Sequence, residues 1–148
     1  MKLFTLDEAQ SLVPVLESLL RRGIDAKNSA EELNEDLQRL QRRIFMSGGM
    51  HVDIGKVGRQ RTELSAHVQR AKDALEEINA IGVQVKDLDI GLLDFPCKLG
   101  DDVVLLCWKM GEDKITHWHT MEAGFSGRQP LDDRFEGRSR QTKPERPN

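Results

Sequence analysis

The stretch Val103-Val104-Leu105-Leu106-Cys107-Trp108 decides the fold of this chain. Six apolar residues in a row do not alternate with polar ones, so both faces of such a strand must be covered by protein. Turn-forming residues precede this stretch at 99–102 and follow it at 111–114. The pattern therefore predicts a central strand that is joined to its neighbours by tight turns.

Shorter strand patterns lie on both sides of the central strand. Val83 and Val85 alternate with polar residues, and Leu92-Leu93-Asp94-Phe95 follows a turn at Asp89-Ile90-Gly91. Ile115-Thr116-His117-Trp118-His119 follows the turn at 111–114. Four short strands with tight turns predict a small antiparallel β-meander, which together with a glycine-rich loop accounts for residues 82–131.

Residues 1–81 have the patterns of helices. Thr5-Leu6-Asp7-Glu8 fits a capping box, in which the two side chains satisfy free amides at a helix start. Pro14 removes one amide donor and predicts a kink in this first helix. Gly23 predicts a stop or a bend before the next helix.

Two further helices carry heptad patterns of apolar residues, and a glycine-rich linker at 47–55 separates them. We expect them to form a long antiparallel helical hairpin. Because neither narrow apolar seam buries much alone, the first helix, the C-terminal region or another subunit must cover the hairpin, and of these we expect a homodimer. The seam positions are Leu33, Leu37, Leu40 and Ile44 in one helix and Leu64, Val68, Ala71, Leu75 and Ile78 in the other.

The prediction for the whole chain is one α+β domain at residues 1–131, followed by a disordered charged tail at 132–148. The net charge is −3, so no excess of basic residues indicates a nucleic-acid partner. No apolar run is long enough to span a membrane, and no signal peptide opens the chain, so we expect a cytoplasmic protein. The basic tail is more typical of a solvated segment than of a nucleic-acid contact.

A candidate metal site lies near the end of the predicted sheet. His117 and His119 are two residues apart, so on a strand their side chains point to the same face. Glu122 follows where a turn brings it back, and Asp94 lies in an apolar strand, where a bare carboxylate is costly to bury. Imidazole and carboxylate ligands suit a divalent transition metal such as zinc, iron or manganese. Asp87 is a weaker candidate, because its place at a strand end is more typical of turn and cap chemistry.

Arg128 lies in the glycine-rich loop that follows the histidines. Its guanidinium suits contact with a carboxylate or phosphate anion, and it equally suits a structural ion pair with Asp94 or Glu122. Cys97 and Cys107 have no metal-site or disulfide spacing, so we interpret both as buried, inert thiols.

The opening Phe4-Thr5-Leu6-Asp7-Glu8-Ala9 with Leu12-Val13-Pro14 resembles that of a family of small bacterial proteins known as a domain of unknown function. The resemblance covers residues 4–131 and implies no particular activity. In the family pattern the position of His119 is histidine, whereas that of His117 is more often aromatic, which makes His117 a weaker candidate. The polar residues that match the pattern are Asp87, Asp94, Glu112, His119, Glu122 and Arg128, and this match makes Glu112 a further, weaker candidate ligand. The other resembling segments are Gly82-Val83-Gln84-Val85-Lys86-Asp87-Leu88, Gly91-Leu92-Leu93-Asp94-Phe95-Pro96, Leu106-Cys107-Trp108-Lys109-Met110-Gly111-Glu112 and Trp118-His119 through Gly124-Phe125-Ser126-Gly127-Arg128-Gln129-Pro130.

Two functional hypotheses follow from the sequence. The first is metal binding through a His/Asp/Glu cluster in the sheet region, with or without enzymatic activity. The alternative is a non-enzymatic interaction or oligomerisation module that uses the helical hairpin to bind a partner protein.

Overall fold

The computed structural model describes residues 1–48 and 53–135, and it begins with two long helices. Helix α1 is Leu6–Met46 and helix α2 is Ile54–Ile81. The predicted capping box is present at the start of α1. The Thr5 amide donates to Glu8 Oε1 at 2.9 Å, and the Glu8 amide donates to Thr5 Oγ1 at 3.1 Å.

The prediction that Gly23 stops the first helix is wrong, because α1 continues through both Pro14 and Gly23. A glycine inside a helix costs only about 1 kcal/mol relative to alanine, and tertiary burial can offset that. Gly23 is itself buried, as are Leu20 and Ala26 on either side of it. The first two predicted helices are therefore one.

The chain divides into two compact units. The first contains residues 1–19 and 77–148, and the second contains residues 20–76. In the second unit, α1 and α2 pack against each other as the predicted helical hairpin. A cleft of about 750 Å³ lies between the C-terminal part of α1 and the N-terminal part of α2. Its lining includes Leu40 of α1 and Val57 of α2. Residues 49–52 of the predicted glycine-rich linker lie outside the described residues.

The first unit contains an antiparallel sheet whose strands pair in chain order, which confirms the predicted meander. The sequence predicted four strands, and the structure adds a fifth of only two residues. So short a strand leaves no periodic pattern in the sequence. The strands are β1 Gln84–Asp87, β2 Leu92–Leu99, β3 Asp102–Lys109, β4 His117–Thr120 and β5 Gln129–Pro130.

Strand β3 is central, between β2 and β4, and its residues 104–108 are buried on both faces, as predicted. One face is apolar and carries Phe95, which Phe4 contacts edge-on with ring centroids 5.7 Å apart. The opposite face carries Asp94 and His119, which are both buried. The sheet therefore has an apolar face and a buried face that contains polar groups.

The predicted tail begins beside the apolar face. Phe135 is buried, and its ring lies 5.6 Å from that of Trp118. The remainder of the predicted disordered tail, residues 136–148, lies outside the described residues. Within the described part of the chain, neither helix has an apolar stretch of the length that crossing a membrane requires.

Two glycines in the hairpin turns of the sheet provide a matched test of this packing. Gly91 and Gly100 both have φ near +65°, at 70° and 64°, where an L side chain costs about 1–2 kcal/mol. A Cβ atom on Gly91 would also lie 2.6 Å from Met110 Cβ, whereas one on Gly100 would meet nothing within 4 Å. We expect Gly91→Ala to lower the free energy of unfolding by about 1–3 kcal/mol more than Gly100→Ala. Urea unfolding of both variants measures this, and equal losses would contradict the described contact.

Candidate metal centre

Asp94 is the most deeply buried charged residue of the described chain, with 0% of its surface exposed. It lies on β2 directly opposite Gln84 of β1 and Cys107 of β3. Burial raises the pKa of the Asp94 carboxyl above its usual value, and the nearby His119 and Lys86 offset part of that rise. The position therefore requires a partner that can balance a buried carboxylate.

His119 on β4 supplies one such partner. Its Nε2 lies 3.1 Å from Asp94 Oδ1, and its Nδ1 lies 2.8 Å from the carbonyl oxygen of Thr120. A carbonyl only accepts hydrogen bonds, so Nδ1 must carry a proton and donate it. Nε2 and Asp94 Oδ1 can then share a single proton in a hydrogen bond, and loss of that proton leaves both atoms as lone-pair donors directed at the same point. A carbonyl that fixes the ring in this way is typical of metal-binding histidines.

Cys107 is the member of the site that the sequence interpretation missed. It lies on β3, between the strands that carry Asp94 and His119, and is fully buried. Burial raises the pKa of the Cys107 thiol to about 11, although the charge of Arg128 counteracts this. The predicted strand order contained part of the signal for Cys107, although not the register that turns it to the face of Asp94 and His119. A site that joins β2 to β4 must cross β3, and Cys107 is the residue of a metal-ligating type in the apolar part of that strand.

The register of the sheet brings these three side chains together. Asp94 lies opposite Cys107, and His119 is opposite Leu105, two residues away from Cys107 on the same face. One donor atom from each of Asp94, Cys107 and His119 lies within 4.8 Å of the other two. A carboxylate oxygen, a thiol sulfur and an imidazole nitrogen thus converge on one buried point.

The second oxygen of Asp94 provides a test of whether the site fits a cation. Asp94 Oδ2 is buried and has no hydrogen-bond partner among the described residues. A buried carboxylate oxygen without a partner is strongly unfavourable, and a metal ion satisfies it. The residues present therefore fit a metal ion.

Four of the predicted ligands lie outside this cluster, namely Glu122 and the weaker candidates Asp87, Glu112 and His117. Glu122 is exposed, so the turn after β4 does not bring it to His119 as the sequence suggested. Asp87 Oδ1 accepts the amide of Asp89 at 3.0 Å, which is the turn chemistry considered as the alternative. His117 lies opposite Cys107 and is half-buried, and its Nδ1 is 2.8 Å from Thr116 Oγ1.

Arg128 forms an ion pair, but with neither of the carboxylates that the sequence suggested. Its Nη2 lies 3.1 Å from Oε2 of Glu112, the residue that the family pattern included as a polar position. The guanidinium carbon also lies 4.9 Å from the centroid of the Phe125 ring, a cation–π contact. The pair fixes the glycine-rich loop to the turn between β3 and β4.

The comparisons with known proteins agree with the resemblance seen in the sequence. No curated protein and no solved structure matches the chain. One family model, described as "Uncharacterized conserved protein (DUF2203)", matches residues 2–131. Since this match covers most of the 148 residues, the chain belongs to that family.

Proposed function

We propose that this protein binds one divalent transition metal ion through Asp94, Cys107 and His119. The observation that carries the proposal is the convergence of three buried donor atoms of three chemical types within 4.8 Å. The fixed ring of His119 supports it, because the nitrogen left free of a backbone acceptor is the one that faces Asp94. The unpartnered Asp94 Oδ2 supports it further.

A metal explains the cluster better than proton-transfer catalysis does. A general base needs a ring nitrogen that can reach a substrate. Both nitrogens of His119 already contact protein oxygens, so neither is free to accept a proton from a substrate. A catalytic Asp–His pair without a metal is therefore not the function that the geometry favours.

The donor set favours zinc among the metals considered. Thiolate sulfur is a soft ligand that suits zinc and iron, whereas manganese prefers oxygen ligands. Zinc accepts Cys, His and Asp together in tetrahedral geometry. Three protein ligands leave a fourth position for water or a small ligand, which is the arrangement of catalytic zinc sites.

Metal content tests the proposed site directly. Protein purified without an affinity tag should carry about one equivalent of a transition metal, and His119→Ala and Cys107→Ala should lose it. The matched controls are His67→Ala and Cys97→Ala, which make the same changes outside the cluster. Elemental mass spectrometry of the five proteins measures this. Absence of metal after reconstitution with zinc, iron and manganese would contradict the proposal.

Asp94→Asn separates a metal ligand from a purely structural residue. The amide keeps the size of the carboxylate and removes a charge whose burial is unfavourable, so the metal-free protein should not lose stability. Zinc affinity should fall by more than the roughly 10- to 100-fold that follows from loss of an outer-shell partner. Competition with a chromophoric chelator measures the affinity. Unchanged zinc affinity in a folded variant would exclude Asp94 as a ligand.

The dependence of zinc affinity on pH tests whether Cys107 is a ligand. Zinc binds the thiolate, and because the pKa of Cys107 is raised to about 11, the thiol is protonated in the metal-free protein near neutral pH. Binding must release that proton, so zinc affinity should rise about tenfold per pH unit as the pH increases from 6 to 9. Cys97→Ala should preserve this slope, and Cys107→Ala should lose it. A wild-type affinity that does not change with pH would exclude Cys107 as a ligand.

We also propose that the helical hairpin joins two copies of the chain. The seam residues Leu33, Leu37, Leu40 and Ile44 are only half-buried, and Phe45 and Met46 at the end of α1 are exposed. Apolar surface of this kind is typical of a protein interface. A symmetric dimer would cover the same seam on both copies.

Leu37→Asp tests the hairpin dimer. A charge on the half-buried seam should convert a dimer to a monomer, because a desolvated carboxylate without a partner opposes association. Val15→Asp makes the same kind of change at an exposed position of α1 outside the hairpin unit and should leave the dimer intact. Sedimentation velocity measures the mass, and a wild-type protein that is monomeric at micromolar concentration would refute this second proposal.

A further inference from the structure

The ion pair between Arg128 and Glu112 lies beside the candidate metal centre. In the pairing of β4 with β5, His117 is opposite Pro130 and Trp118 is opposite Gln129. Continuing this register by one residue puts Arg128, which has extended backbone angles, opposite His119. Residues opposite each other across an antiparallel pair share a face of the sheet. Arg128 therefore belongs to the face that carries the cluster.

Glu112 approaches the same face from the turn between β3 and β4. Its Oε1 accepts the backbone amide of Lys109 at 2.7 Å, at the end of β3. Arg128 Nη2 lies 3.1 Å from Glu112 Oε2 and 3.4 Å from Oε1. The Arg128 side chain thus extends from the backbone position opposite His119 toward Lys109 at the end of β3. Cys107 lies between these two positions along the strands.

Electrostatics agree with this placement. Arg128 lowers and Glu112 raises the pKa of the Cys107 thiol, so the charges of both side chains act at the cluster. The ion pair thus lies next to the point where the three donor atoms converge.

Several N–H donors of the Arg128 guanidinium have no side-chain acceptor among the described residues. Among the described residues, the hydrogen bonds of Arg128 to side chains come from Nη2 alone, and its Nε is buried without a partner. The side chain is 17% exposed, so it is shielded but can be reached from solvent. Arginine presents five N–H donors in a planar fork that matches a carboxylate.

We propose that the metal ion at Asp94, Cys107 and His119 takes a small carboxylate as its exchangeable ligand, and that Arg128 binds the same carboxylate. Glu112 pairs with Arg128 until this ligand enters. The inference rests on the proposed metal function. Glu112 identifies the ligand class, since its own carboxylate already occupies the guanidinium in this structure. An incoming carboxylate would replace one Arg–carboxylate contact with another and also gain a bond to the metal.

Cobalt(II)-loaded protein with acetate as the probe tests this, because the visible spectrum of cobalt reports ligand exchange at the metal. Wild-type protein should show a saturable spectral change with acetate. Arg128→Gln should weaken acetate binding by about tenfold or more, the usual range for losing a charged hydrogen bond. Glu112→Gln should strengthen it severalfold, because the competing carboxylate is gone. Arg134→Gln, which removes a cation paired with Asp132, should change nothing.

Each outcome decides a separate point. Failure of cobalt to bind would overturn the metal function and this inference together. Cobalt binding without a response to acetate, or with equal acetate affinity in wild type, Arg128→Gln and Glu112→Gln, would overturn this inference and leave the metal function standing. Tighter binding of inorganic phosphate than of acetate would overturn the assignment to carboxylates. If Arg128→Gln does not fold, the acetate affinity of Glu112→Gln relative to wild type still decides the test.

Discussion

The structure of the sheet unit depends on covering β3 on both faces. An apolar strand exposed on either side would leave a large hydrophobic surface in water. On one face the cover is apolar, and Phe4 against Phe95 is part of it. On the other face the buried layer contains Asp94 and His119. The polar site is therefore not a surface feature but part of a layer that the fold must close.

Burying polar groups in that layer restricts what they can be. A carboxylate, an imidazole and a thiol in low-dielectric surroundings are stable only when each has a partner. The structure meets part of this requirement internally, through the contact between Asp94 and His119. It leaves one oxygen of Asp94 without a partner and raises the pKa of the Cys107 thiol to about 11. A divalent cation would satisfy both groups at once, which is why the metal hypothesis is the economical one.

The hairpin unit has a different physical character. Between residues 31 and 73 none of the described residues is buried, and the seam positions are only half-covered. Stability in long helices comes mainly from packing an apolar face rather than from helix propensity. The sheet unit has a closed core, whereas the hairpin presents surface that another chain can cover. The two functional hypotheses therefore concern separate units of the molecule and are compatible with each other.

Much of the fold could be predicted from the sequence, because it depends on local patterns. The apolar run at 103–108 predicted a central strand, the tight turns predicted a meander, and the Thr5–Glu8 pattern predicted the helix start. The continuity of α1 through Gly23 could not be predicted, since it depends on tertiary burial that outweighs a weak local preference.

The candidate site was only half accessible to sequence analysis. Asp94 and His119 were identified because polar side chains in apolar strands need a reason to be there. Cys107, the position of Glu122 in solvent and the pairing of Arg128 with Glu112 depend on cross-strand register, which the sequence does not encode locally. The sequence by itself determined which residues had to be buried, through apolar patterning. Only the tertiary structure decided which of them meet, because a register shift of one residue would turn each side chain of a strand to the opposite face of the sheet.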